Sequence, residues 1–266
     1  MMDASGGYSQ YEFVAQFYDH VVPYRTRKDV EFFVEMARQC QGSVLEAGCG
    51  TGRVLIPTAR AGIDIFGLDL SDAMLQICRD KLSEQPAEVQ ARVQLVKADM
   101  RNFSLGRSFA LATIPFRPFQ HLTTVDDQLS CLRCIHGHLA DGGKLILDLF
   151  NPDVRVLGNE DRATEFGDEP EFVMPDGRRV VRKHRNASWD LHNQIADCEL
   201  IYYVTHPDGR QERLVHEFQM RYLFRFEAEH LLSRCGFDVE CVYAGYDRAP
   251  YGTRYPGELI FVAAKT

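Results

Sequence analysis

Apolar and polar positions along the chain follow two alternating periods. Between residues 10 and 40 the aromatic and aliphatic side chains recur at helical spacing. Tyr11, Val14, Ala15 and Tyr18 form one set and Val30, Phe33, Val34 and Met36 another, with Pro23 between them. Two helices are predicted there. A short apolar strand follows at residues 43–46, then a helix at 53–61, a strand at 64–69, a helix at 72–82 and a strand at 93–97. A strand at 109–115, a helix opening at Thr124 and a strand at 144–150 continue the series. Parallel strands need long crossovers, so strands and helices alternating at this length predict a doubly wound α/β sheet.

The pattern changes at Asn151-Pro152. From residue 171 the chain carries β-rich runs joined by two similar turns, Met174-Pro175-Asp176-Gly177-Arg178 and His206-Pro207-Asp208-Gly209-Arg210. Pro presets φ and Gly supplies a positive φ, so both turns read as antiparallel hairpins. Residues 226–235 are helical with Gly236 placed to end them, and strands at 239–244 and 258–263 close the chain. The predicted division is a core with a helical cover at 1–150, an inserted antiparallel subdomain at 151–222, and a completion of the core sheet at 223–266.

Composition narrows the function classes. With 266 residues, 45% hydrophobic and 26% charged, the chain suits one well-cored α/β domain plus an elaboration. A formal net charge of −8 opposes a nucleic-acid partner, because phosphate binding needs concentrated Lys and Arg. The amino terminus lacks a basic stretch followed by an apolar run, and no apolar segment approaches the roughly 20 residues that span a bilayer. A cytoplasmic protein with no membrane partner is expected, its 8 cysteines reduced. Cys131-x-x-Cys134 with His136 and His138 has zinc-like spacing, but Leu129, Leu132, Ile135 and Leu139 set a helical period through it. No metal is expected.

The chemistry gathers at the first strand-to-helix loop, Glu46-Ala47-Gly48-Cys49-Gly50-Thr51-Gly52. Missing Cβ atoms let backbone approach a ligand there. Asp69, about twenty residues on and at a strand end, suits a ribose diol. These features fit either a nicotinamide cofactor or a sulfonium cofactor. Three observations favour the sulfonium. Glu46 puts negative charge where a pyrophosphate would be repelled, the glycine spacing is not G-x-G-x-x-G, and Asp99-Met100 offers a carboxylate and an apolar lid for adenine.

With Gly67-Leu68-Asp69-Leu70-Ser71 followed by Met74, Ala98-Asp99-Met100, and the Gly142-Gly143 turn, the chain resembles the class I S-adenosylmethionine-dependent methyltransferases. The resemblance implies a Rossmann-like, mostly parallel seven-stranded sheet with N-terminal helices and an inserted antiparallel sheet. It implies that Gly48, Gly50 and Gly52 line the methionine portion of S-adenosylmethionine and that Asp69 holds the ribose. Asp99 and Met100 would hold adenine, with Leu70 and Met74 packed on its ring. A narrower resemblance, to bacterial N,N-dimethyltransferases of nucleotide-linked aminosugars, rests on the run from Asp99-Met100-Arg101 to Arg107 and on His121-Leu122. The chain departs from that subfamily at Ile114-Pro115-Phe116-Arg117-Pro118-Phe119-Gln120, where those enzymes carry small and hydroxyl residues.

An amine acceptor must arrive neutral, and His121 is the candidate base or acceptor-orienting group. Tyr18 and Tyr11 of the N-terminal helices are candidate ligand contacts, and Arg25 or Arg27 a partner for the cofactor's carboxylate. Arg178, Arg179, Arg182, Lys183 and Arg185 crowd one inserted strand. They are expected to pair with the acidic loop at 165–171 rather than to bind an anionic substrate. The function expected is methyl transfer to a small-molecule amine by an enzyme that could form a homodimer. The alternatives are O-methylation of a small metabolite, a nucleic-acid methyltransferase lacking the Asn/Asp-Pro-Pro-Tyr grip on a flipped base, and a non-catalytic cofactor-binding protein.

Overall fold

A computed structural model describes residues 6–157, 164–167 and 169–266; residues 1–5 and 158–163, and Asp168 of the expected acidic loop, lie outside the described residues. The chain opens with α1 (Glu12–Tyr18), α2 (Val22–Arg25) and α3 (Asp29–Gln39). Three helical segments therefore stand where two were expected. Pro23 lies in the first turn of α2, where its missing N–H costs nothing, so it starts a short helix rather than merely separating two long ones.

The alternating series then follows: β1 (Val44–Ala47), α4 (Leu55–Arg60), β2 (Ile65–Asp69), α5 (Asp72–Ser83), α6 (Ala87–Gln90), β3 (Val93–Lys97) and β4 (Phe109–Ile114). A 3-10 turn (Pro118–His121), α7 (Val125–His138), β5 (Leu139–Phe150) and α8 (Val154–Leu157) complete this half. The antiparallel strands β6 (Phe172–Val173), β7 (Arg179–Asp190), β8 (Ile195–Thr205) and β9 (Gln211–Arg221) come next, and α9 (Arg225–Arg234), β10 (Phe237–Tyr243) and β11 (Glu258–Lys265) end the chain. The one-turn helices escaped the sequence reading because four residues carry no measurable period.

The seven-stranded sheet has the order β10-β11-β5-β4-β1-β2-β3, parallel except around β11, which runs antiparallel to both neighbours. β1 is buried throughout, as a central parallel strand covered on both faces must be. Phe32, Phe33, Leu55 and Leu75 from α3, α4 and α5 cover one face, and Leu129, Leu132, Ile135 and Leu232 from α7 and α9 the other. Ser71 caps α5 by accepting the Met74 N–H, and Thr124 caps α7 by accepting that of Asp127. Within α7, His138 donates from Nδ1 to the Cys134 carbonyl at 2.8 Å and accepts the Leu105 N–H on Nε2 at 3.2 Å, so the imidazole serves backbone.

The four-stranded sheet β6-β7-β8-β9 is a meander whose first and third hairpins turn on Gly177 and Gly209, both at φ 86, while the second, at 191–194, places Gln194 at φ 58. Val180, Leu200, Tyr202 and Val204 from its apolar face pack with Phe17 of α1 and with Val21, so it roofs the N-terminal helix. Two of the arginines pair with the acidic loop as expected, Arg179 with Glu171 and Arg182 with Glu169, whereas Arg178 in the turn pairs with Asp176 and Arg185 with Glu199 on the neighbouring strand. Arg182 is buried, lies 4.4 Å from the Tyr24 ring centroid, and shares Glu169 with His184.

Burial raises the Glu169 carboxyl, but hydrogen bonds from His184 and Arg182 outweigh it and hold the group at about 2. A carboxyl held below its ordinary 4.5 stabilises the fold fully above that value and loses the contribution as pH falls to about 2. Glu169→Gln is expected to cost about 1 to 3 kcal/mol at pH 7 and progressively less on acidification below 4.5. Urea unfolding of both proteins across that range measures it, and a pH-independent difference would count against the pairing.

Candidate functional site

The strand order reverses direction at β1, which lies between β4 and β2, and ligands of open α/β sheets bind outside the carboxyl ends of strands at such a point. A cleft of about 820 Å³, counting its open mouth, lies there. Its floor is the loop after β1. Gly48 has φ 75, and a Cβ on it would sit 2.7 Å from Pro118 Cγ, so only glycine lets the loop pass under the segment after β4. Gly48 and Gly50 line the cleft. Gly52 does not: a Cβ there would meet Cys78 Sγ at 2.6 Å, so this glycine, expected to line the methionine portion, lets the loop pack on α5.

Asp69 ends β2 with its carboxylate in the lining. Oδ2 accepts the Gly50 N–H at 2.8 Å and Oδ1 the Ser71 N–H at 2.9 Å, leaving each oxygen one further lone pair for a diol. Burial raises its pKa while these backbone donors oppose the shift. Leu70 and Met74 stand beside it, and Ala98, Asp99 and Met100 form the wall beyond β3. Asp99 carries a competitor that the sequence did not reveal. Arg101 turns back onto its carboxylate with contacts of 3.0, 3.0 and 2.6 Å and reaches on to Asp127. Burial would raise Asp99, but the Arg101 guanidinium holds it below the usual range.

Glu46 is the most unusual group of the cleft. It is buried on a central strand, and its Oε2 has no hydrogen-bond partner among the described residues. Burial pushes its pKa up to about 8, with Arg53 lowering it and Asp29 and Asp69 adding to the rise. An acid in that state suits a cationic ligand, whose charge would offset the desolvation.

The opposite wall joins His121 and Tyr18 with Tyr8, Phe116 and Pro118. His121 Nδ1 lies 3.1 Å from the Gln219 carbonyl of β9; since a carbonyl can only accept, Nδ1 carries a proton and donates it. Burial raises the phenols of Tyr18 and Tyr8, so both stay protonated and line the cleft as neutral groups.

Two predicted contacts are not brought to the cleft. Tyr11 stands just before α1, where its hydroxyl meets Glu217 at 3.3 Å instead of capping the helix. Arg27 is drawn away by the Tyr246 hydroxyl at 2.5 Å and Glu258 at 3.0 Å, so it does not reach a cofactor carboxylate. In its place Arg53 lines the cleft, bound by both nitrogens to the buried Asp29 at 2.7 and 2.6 Å. Tyr8 and Phe116 were missed. Tyr8 sits in a Gly-rich terminus without periodicity, and Phe116 was noted only as part of a departure from the subfamily. The aromatic residue inside that departure was the available signal.

A family model described as a methyltransferase domain matches residues 44–143. The chain is 32% identical over 183 residues to dTDP-4-amino-2,3,4,6-tetradeoxy-D-glucose N,N-dimethyltransferase of Saccharopolyspora spinosa, covering 68% of this chain and 65%, just under two thirds, of that relative. It is 30% identical over 205 residues to dTDP-3-amino-3,4,6-trideoxy-alpha-D-glucopyranose N,N-dimethyltransferase of Streptomyces venezuelae, covering 76% and 78% of the two chains. The solved CcbJ methyltransferase of Streptomyces caelestis superposes with a TM-score of 0.80 over 99% of this chain and 100% of its own, at 20% identity, a likeness of fold.

The state of Glu46 gives a test without ligand. The folded protein keeps its proton up to about 8 whereas the unfolded chain releases it near 4.5, so stability should fall as pH rises between these values. Glu46→Gln is expected to remove that slope and to stabilise the unliganded protein at pH 8 by on the order of 3 kcal/mol. Thermal unfolding between pH 5 and 8.5 reads the outcome, and parallel curves for both proteins would refute it.

Proposed function

The chain belongs to the S-adenosylmethionine-dependent methyltransferases, and from that membership we propose that it methylates an amine nitrogen of a small-molecule acceptor. The observation that carries this reading is His121. The Gln219 carbonyl holds its imidazole by the Nδ1 proton, and the ring lines the cleft, where an ammonium acceptor must lose its proton. The N,N-dimethyltransferase names of the two relatives described above support an amine rather than a hydroxyl acceptor.

The cleft fits the cofactor on its own evidence. Glu46 presents a buried acid oxygen without a partner, and Asp69 keeps an acceptor site on each oxygen beside a glycine that allows close approach. We assign Asp69 to the ribose and Gly48 and Gly50 to the methionine portion. Leu70, Met74 and Met100 then pack on adenine with Asp99 at its edge, and Glu46 faces the positive end. When bound, S-adenosylmethionine supplies an electrophilic methyl on a positively charged sulfur. The residues do the rest by placement: they hold the acceptor in line and exclude water, an entropic effect worth up to roughly 7 to 11 kcal/mol. His121 takes the ammonium proton. Tyr18 and Tyr8, kept protonated by burial, wall the acceptor side. In this reading residues 151–222 act as a roof through β9, which orients His121.

The same reading places the enzyme in the cytoplasm, in keeping with eight unbridged cysteines, and allows a homodimer. Among the described residues no helix is long and apolar enough to cross a membrane.

Methyl-labelled cofactor, offered with amine metabolites, a dTDP-aminosugar, RNA and protein, should place label in an amine of the small-molecule fraction. Label in RNA, or none anywhere despite tight cofactor binding, would sink the reading. Asp69→Ala should weaken cofactor binding by about 1.5 to 3 kcal/mol, roughly ten- to a hundred-fold, in calorimetry. His121→Asn should leave that affinity intact and lower turnover about a hundred-fold or more. Turnover within a few-fold of wild type would exclude His121 as the base.

A further inference from the structure

Behind the Phe116 wall lies a buried polar network that the reaction described above leaves unused. Its centre is Asp148 of β5, which has no solvent exposure. Oδ2 accepts the backbone N–H of Phe116 at 3.0 Å and the Tyr246 hydroxyl at 2.8 Å. Oδ1 has no hydrogen-bond partner among the described residues. Burial raises the Asp148 pKa, against the pull of Arg117 and Arg27. A carboxylate on a central strand is an expensive way to join two loops, so its retention calls for a reason.

The segment it holds supplies one. Phe116 and Arg117 are consecutive non-glycine residues at φ 63 and φ 72, a left-handed pair that a Cβ disfavours and that persists only where surrounding contacts impose it. Asp148 grips the first residue by its N–H. Glu258 grips the second, accepting from Arg117 at 2.6 Å, while its other oxygen accepts from Arg27 at 3.0 Å. The Phe116 ring is clamped as well, with the guanidinium carbons of Arg27 and Arg53 at 5.1 and 4.9 Å from its centroid and the Tyr24 ring at 4.8 Å. The clamped ring lines the cleft on the side of Tyr18 and His121.

We propose that Asp148 and Tyr246 are positioning residues: they lock the left-handed Phe116–Arg117 pair and thereby fix the Phe116 ring as the wall against which the acceptor is aligned. What the wall serves rests on the methyltransferase reading; that the network fixes the ring does not. Tyr246 also gives Arg27 its place, as a brace of this wall.

The test places 4-fluorophenylalanine at position 116 and reads its 19F resonance with and without S-adenosylhomocysteine. A single sharp line is expected in the otherwise unaltered protein, and a broadened or split line in Tyr246→Phe and Asp148→Asn. Tyr246→Phe removes one hydroxyl without changing shape, so it reads the network even where Asp148→Asn fails to fold. In the same variants affinity for S-adenosylhomocysteine should stay within about two-fold, while label transfer to the amine accepted in the metabolite assay falls about ten-fold or more. An unchanged line in Tyr246→Phe would overturn the proposal, as would cofactor affinity falling in step with turnover. Failure of S-adenosylhomocysteine to bind the unaltered protein would instead remove the methyltransferase reading and leave the ligand-free comparison of lines valid.

Discussion

The Asp69 carboxylate is the constraint from which the cleft is built. By accepting N–H groups from Gly50 on one side and Ser71 on the other, it joins the loop after β1 to the entrance of α5. Both backbone segments are thereby oriented by one side chain at a strand end. Ser71 extends the tie, since its hydroxyl donates to the Tyr8 carbonyl at 3.1 Å while also capping α5. A second tie runs through Thr51 and Lys81, which both reach Asp19 at 2.8 Å and so fasten the loop and α5 to the end of α1. The floor is held by hydrogen bonds; at Gly48 and Gly52 a side chain would collide, whereas at Gly50 space is open and the left-handed φ of 53 is what favours glycine.

Buried charge is handled differently in the two halves of the site. Around Arg53 the account is closed, with the bidentate Asp29 in full burial. Glu46 has no such partner on Oε2 and escapes the cost of a buried charge by holding a proton. In the proposed reading, a positive charge beside Glu46 would favour its ionised form, so that cofactor binding would be coupled to loss of a proton there. The guanidiniums of the arginine-rich strand β7 are likewise met by carboxylates, Arg179 by Glu171, Arg182 by Glu169 and Arg185 by Glu199.

Legibility in the sequence followed the range of the interactions. The sheet core was readable because β1, β2 and β4 are short apolar runs buried on both faces, and their alternation with helices allows few topologies. Gly48, Gly50 and Asp69 were readable because one loop and one strand end, about twenty residues apart, make that half of the cleft. Arg27 and Tyr11 misled because their partners, Tyr246, Glu258 and Glu217, lie more than 200 residues away in sequence, and no local pattern announces such pairs. Gly52 misled differently. Its positive φ is real, but the space it vacates is filled by Cys78.

That contrast bears on how acceptor choice arises in this fold. In the proposed reading the cofactor half is local, with Gly48, Gly50 and Asp69 supplied by one loop and one strand end. The acceptor half assembles four distant pieces: residues 6–8, the 3-10 turn with His121, β9, and the Phe116–Arg117 turn braced by β5 and β11. His216 of β9 donates from Nε2 to the Gly6 carbonyl at 2.7 Å, and a Cβ on Gly6 would fall 2.6 Å from the His121 ring. The strand that orients the imidazole therefore also holds the terminal segment against it. A change in the antiparallel sheet bears directly on His121 and on the terminal segment that carries Tyr8, and reaches Asp69 only through the Ser71 hydrogen bond to Tyr8. In the proposed reading the floor, held by Asp69 within one loop and one strand end, meets the donor, and the walls built from the second sheet and the Phe116 turn meet the acceptor.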